Sequence, residues 1–205
     1  MPMRSVTVQS ILRKVRKTLV PVLLLGAFVV AVAPAQANRG ADTIVLPGAT
    51  SAEGITAGRG STFYAGDLFR GDIYRGDLQQ GTAELFIDAP EGRMAGGMKV
   101  DLQTGLLFVA GGFAGQGYVY DTGTGATVIT YQVADPSAGP LVNDGALTRQ
   151  GAWFTDSGQA QLYFVPVDPT GSLGPASTLS LTGPAAELTG DFNLNGIVAT
   201  PNGDR

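Results

Sequence analysis

The 205 residues include neither histidine nor cysteine, so any chemistry must come from carboxylates, amides, hydroxyls and backbone groups. That removes imidazole and thiolate metal ligation, Ser-His-Asp catalysis, histidine acid–base chemistry and disulfides. Imidazole-dependent dismutase chemistry goes with them. Oxygen donors suit hard cations: Ca²⁺ accepts carboxylates and carbonyls in loose geometry, while Mg²⁺ and Mn²⁺ accept fewer in stricter geometry. The polar residues that matter precede four apolar stretches: Glu53-Gly54 before Ile55, Gly96-Gly97 before Met98, Asn143-Asp144-Gly145 before Ala146 and Asn195-Gly196 before Ile197. Taken singly, the Asn motifs are ordinary turn sequences, because Asn and Gly tolerate positive φ, and a lone Glu is ordinarily solvated. Their joint recurrence is what singles them out. Thr155 and Ser157 have no base to activate them as nucleophiles. Gly111 to Gly117 lacks the lysine and the following helix of a phosphate loop and reads as a glycine-rich hairpin.

The elements that position these residues repeat. After each apolar stretch comes an aromatic or apolar run: Phe63 to Asp67, Leu107 to Gly111, Trp153 to Ser157. A third run with a tyrosine follows: Ile73-Tyr74, Val119-Tyr120, Leu162-Tyr163. Successive copies lie 43 to 51 residues apart, the length of a propeller blade rather than of a helical repeat. The runs are short, rich in Val, Phe, Tyr and Thr, and separated by Gly, Asp and Pro, which makes them strands with tight turns. The expected fold is all-β: a β-propeller of four-stranded antiparallel blades. In such a ring the innermost strands line a central channel, so the polar residues at their starts converge despite their separation in sequence. Trp153, Phe154, Tyr64, Phe108, Tyr120 and Tyr163 are expected in the blade cores, and Asp67, Asp156 and Ser157 in turn and inter-blade hydrogen bonds. Residues 134–140 and 168–176 read as surface connections.

Residues 1–37 stand apart. Arg4, Arg13, Lys14, Arg16 and Lys17 precede an apolar stretch from Leu19 to Ala33 and an Ala35-Gln36-Ala37 cleavage signature, the pattern of an export signal. The apolar core is shorter than a spanning helix needs. The expected organisation is a signal peptide over 1–37, a loose lead-in over 38–50 and a partial propeller over 51–205, in a secreted or extracytoplasmic protein. Beyond residue 37 stand eight basic and 17 acidic residues, net −9, a balance that repels phosphate backbones and argues against nucleic acid as a partner. No membrane association is expected after signal cleavage.

Glu-Gly before the first inner strand, Asn-Asp-Gly before a later one followed by Trp153-Phe154-Thr155-Asp156-Ser157, and Asn195-Gly196-Ile197 leading to Thr200-Pro201 together resemble the senescence-marker-protein and gluconolactonase family of six-bladed propellers. The resemblance spans roughly residues 50–205. It implies a divalent cation in the channel, Ca²⁺ first with Mn²⁺, Mg²⁺ or Zn²⁺ behind it, no organic cofactor, and a small lactone or ester hydrolysed beside the ion. Carried over position by position, Glu53 and Asn195 match metal-binding residues, and Asn143 matches an asparagine that reaches substrate or a metal-bound water. Asp144 shares that last role, since by strict register it aligns with Glu53. The family's remaining aspartate ligand, also its candidate general base, would lie beyond Arg205, so no catalytic residue is expected within the chain. Leu141 stands where sugar-lactone hydrolases of the family often carry an arginine, which weakens sugar-lactone specificity.

Residues 38–205 hold about three and a half units at this period, against six in the family. The expectation is a truncated chain forming an open arc, whose last strand runs from Ile197 to about Thr200 and is followed by a turn over Pro201-Asn202-Gly203-Asp204. Two functions compete: a metal-dependent lactone or ester hydrolase with little or no activity in this form, and a non-catalytic extracellular binding or scaffold propeller. The sequence does not specify an oligomeric state.

Overall fold

The computed structural model describes residues 43–190 and 192–200. The signal peptide expected over 1–37 and the turn expected over 201–204 lie outside the described residues. The described chain is all-β, with three four-stranded antiparallel sheets in which strand order follows chain order. The first sheet comprises β1 (Ala52–Ala57), β2 (Thr62–Asp67), β3 (Ile73–Asp77) and β4 (Thr82–Ile87). The second comprises β5 (Met98–Asp101), β6 (Leu106–Ala110), β7 (Gln116–Asp121) and β8 (Thr127–Gln132). The third comprises β9 (Val142–Thr148), β10 (Gly151–Asp156), β11 (Gln161–Pro166) and β12 (Ser177–Ser180). Each is a plain meander, the topology of a propeller blade.

The meander is written into the turns. Asp-x-x-x-Gly recurs at Asp67–Gly71, Asp77–Gly81, Asp101–Gly105 and Asp121–Gly125, and in each the glycine N–H donates 2.8 Å to the aspartate carbonyl. The aspartate side chain caps the loop: Asp121 accepts from the N–H groups of Gly123 (3.0 Å) and Thr124 (2.7 Å), as Asx turns do. Gly105 and Gly125 both sit at φ 75°, where a side chain would be strained.

Packing between sheets follows from strand alternation. In β6, Leu106, Phe108 and Ala110 face the third sheet, joining Val119, Tyr131, Val142, Ala152, Phe154, Tyr163 and Val165 in one core cluster. Leu107 and Val109 face the first sheet, joining Tyr64, Ile73, Ile87, Met98, Tyr118 and Tyr120 in a second cluster. All five residues of β6 are therefore buried. The inner strands lie against one another, β1 against β5 and β5 against β9, with β6 also packed on β9, which sets the sheets radially around a common side. Among the six aromatics expected in the core, Trp153 is half-buried, and it stacks on Phe164 at 4.6 Å on the side of β10 turned away from the second sheet.

One strand expectation fails. Residues 197–200 form no strand, because the segment leading into them bonds to side chains of the third sheet instead of joining a ladder. The Thr155 hydroxyl donates to the Asn195 carbonyl (2.8 Å) and the Ser157 hydroxyl to the Leu194 carbonyl. The described chain thus holds three complete blades plus this segment, rather than three blades and the strand that would open a fourth.

Candidate functional site

The starts of the inner strands β1, β5 and β9 meet at one mouth with the segment 194–197, and glycine makes the approach possible. A Cβ on Gly54 would fall inside the Gly96 carbonyl, one on Gly96 would lie 2.8 Å from the Asn143 carbonyl, and one on Gly97 would overlap the Asp144 carboxylate. The Gly97 N–H donates 2.7 Å to the Asn143 carbonyl, fixing β9 against the start of β5. Only residues without side chains fit between strands so close.

This crowding brings together Glu53 from β1, Lys99 from β5 and Asp144 from β9. Lys99 Nζ lies 3.3 Å from Asp144 Oδ1, and the Ile197 N–H reaches Asp144 Oδ2 at 3.4 Å. The Glu53 carboxyl is pushed above the usual carboxylate range, first by lost hydration and then by the Asp144 charge, while Lys99 pulls the other way. Glu53 stays open to solvent, which screens all three effects. Lys99 is the residue that sequence reasoning missed. It is the only lysine beyond residue 37, and a lone cation on an inner strand two residues after Gly97 was the available signal.

The two asparagines face other tasks. Asn143 Nδ2 donates to Ser157 Oγ at 2.7 Å, and Ser157, wholly buried, passes the chain on to the Leu194 carbonyl. Asn195 is exposed, and its carbonyl takes the Thr155 hydroxyl. Thr155 Oγ1 also accepts the Asp144 N–H at 3.1 Å. Together these bonds hold residues 194–197 along the mouth. Leu141 is 9% exposed, its N–H donating to Asp156 Oδ1 (2.8 Å), so the position compared with a substrate-binding arginine is here a buried anchor.

Asp67 and Asp156 have the clearest structural work. Asp67, fully buried, accepts from Thr50 N (2.6 Å), Thr50 Oγ1 (3.1 Å), Ser51 Oγ (2.6 Å) and Arg70 N (3.3 Å). Burial alone would raise its pKa, but these bonds outweigh it and hold the group at about 2. Asp156 accepts from Leu141 N, Gly158 N (2.9 Å), Gln159 N (3.1 Å) and the Tyr163 hydroxyl (2.5 Å), and burial followed by this bond pushes the Tyr163 phenol up. Each carboxylate ties the segment entering a blade's inner strand to the end of that blade's second strand.

Two surface clefts lie away from the mouth. One of about 370 Å³ is lined by Thr62, Arg75, Asp77, Gln80 and Glu84. The other, of about 320 Å³, lies between the second and third sheets beside Asp101, Thr104, Thr148, Arg149 and Asp168. Neither includes Glu53, Lys99 or Asp144.

No known protein family matches the chain, and no curated protein matches it. Solved structures do. A protein from Lactobacillus plantarum aligns with a TM-score of 0.59 at 19% identity, covering 78% of this chain and 48% of that one. A chain of a mitotic checkpoint complex aligns with a TM-score of 0.59 at 11% identity, covering 81% of this chain and 46% of that one. With the three radial meanders these likenesses settle the architecture. The fold is a β-propeller. The chain spans about half the length of the propeller-like chains it matches.

Proposed function

We propose that this is an exported propeller that acts by binding rather than by turnover, with a channel mouth resembling that of metal-dependent lactone hydrolases but not equipped as one. The observation that carries this reading is the commitment of its polar groups. Asn143 is bonded to Ser157, the Asn195 carbonyl to Thr155, and Asp144 to Lys99 and the Ile197 N–H. A general base must be free to take a proton from a water or substrate within hydrogen-bond reach, and of the two carboxylates at this mouth Asp144 is already held by Lys99 and the Ile197 N–H. The surface beyond residue 37, net −9, favours basic or neutral partners over anionic ones.

The test is hydrolysis of a panel of five- and six-membered lactones and aryl esters by the full chain, with and without Ca²⁺ or Mn²⁺. The expected result is turnover no faster than that of Glu53→Ala, together with metal-independent capture of a secreted or cell-surface partner. Metal-dependent turnover lost in Glu53→Ala would overturn the reading in favour of a hydrolase. The hydrolase stays in view because Glu53 and Asp144 do converge at the mouth, the juxtaposition such chemistry starts from.

A further inference from the structure

The residues at the mouth do not fit a divalent cation. Among the described residues no group of three or more carboxylates gathers, the Asn143 amide is turned to Ser157, and a lysine ammonium sits on one of the two carboxylates present. We infer that Lys99 is a built-in cation that pairs with Asp144, offsets part of the Glu53–Asp144 charge and takes the place a divalent ion would otherwise have, leaving the mouth indifferent to Ca²⁺.

Three features support this. Asp144 is pinned: the Ile197 N–H holds one carboxylate oxygen while Lys99 holds the other. Gly97 backs directly onto the same carboxylate, so no side chain separates β5 from β9 there. Lys99 comes from β5, the strand between the two acidic ones, so a single ammonium is positioned to answer both charges. A hard dication entering the site would have to displace that ammonium or sit beside it, and like charges at that range repel strongly in a partly desolvated site. Removing the ammonium should instead leave the Glu53 and Asp144 carboxylates with the backbone carbonyls of Asn143 and Asn195 alongside, a set of oxygen donors that Ca²⁺ accepts.

This rests on the same mouth as the binding reading, and it is read by ion binding alone, without activity. Equilibrium dialysis of the full chain against Ca²⁺ is expected to show no saturable site up to about 1 mM, the weak end of extracellular calcium sites. Lys99→Gln is expected to gain one site at least about tenfold tighter, a Coulombic effect of the removed charge. Lys99→Arg, which keeps the charge, should stay blind to Ca²⁺, and adding Glu53→Gln to Lys99→Gln should erase the gain. Should Lys99→Gln fail to fold, ¹³C-methylation of the lysine amines gives a second route. The Lys99 resonance, identified by its loss in Lys99→Arg, should move in Asp144→Asn and stay still as Ca²⁺ is added to the wild type. Saturable Ca²⁺ binding by the wild type, an equal affinity in Lys99→Gln, or a Lys99 resonance that shifts with Ca²⁺ overturns the inference. A wild type that binds Ca²⁺ yet hydrolyses nothing sinks the inference and leaves the binding function standing. Metal-dependent hydrolysis sinks the function.

Discussion

The middle sheet and its two neighbours are built from the same meander but are held differently. In the middle sheet both faces are covered, and β6 is buried at every residue. The first sheet buries Tyr64, Ile73 and Ile87 against the middle one; on its other face Phe63, Ala65 and Tyr74 are buried too, but on the edge strands β1 and β4 Ile55 is 64% and Leu85 46% exposed. The third sheet buries Ala152, Phe154, Tyr163 and Val165 and leaves Trp153 and Phe164 half-covered on the other side. A blade has no core of its own; its hydrophobic faces are completed by adjacent blades. The anchoring differs too. The outer sheets fix the incoming chain with Asp67 and Asp156, whereas the middle sheet has Gly111 at that place, and its neighbour Gly112 instead exchanges backbone bonds with Val142 of the next sheet (2.9 and 3.1 Å).

The largest effect that can sharpen this contrast is in the middle sheet. Phe108→Ala should cost about 3–5 kcal/mol in denaturant unfolding, since the side chain is buried between the second and third sheets. Ile55→Ser, at an exposed position of the edge strand β1, should stay within about 0.5 kcal/mol. Comparable losses at both sites would break the comparison. A smaller effect comes from acid. The Asp67 carboxyl is held at about 2, below its ordinary 3.8, so its contribution is present above the unfolded pKa and lost as pH falls through the folded one. Stability should therefore drop by about 2 kcal/mol between roughly pH 4 and pH 2 through this group, and Asp67→Asn should flatten that part of the profile while lowering stability at neutral pH. An unchanged acid slope in Asp67→Asn would show that the carboxylate does not anchor the first blade.

Much of the fold was legible because blades are local. Strand runs such as Trp153 to Asp156, and the spacing between copies, are visible in one dimension. The Asp-x-x-x-Gly turns were legible as well, and would have marked the hairpins directly. The fourth strands were weaker signals: Ser177–Ser180 is exposed at all four residues, so no alternation of burial marks it. The 197–200 strand was misread because extended sequence preference does not reveal whether backbone groups will meet a ladder or, as here, the hydroxyls of Thr155 and Ser157. At the mouth, recurrence at the inner-strand starts pointed to Glu53 and Asp144. It could not reveal that Asn143 turns to Ser157 within its own blade, nor that Lys99 crosses to Asp144 of the next, because the first depends on where side chains point at the strand ends and the second on how adjacent blades approach.

The most direct test of this radial, neighbour-dependent architecture is amide hydrogen exchange resolved by strand. Slowest exchange is expected in β6 and β7, enclosed between two sheets, and fastest in β4 and β12 at the outer edges, with β2 and β10 between. Exchange in β6 as fast as in β12 would contradict the arrangement of three blades around a shared side.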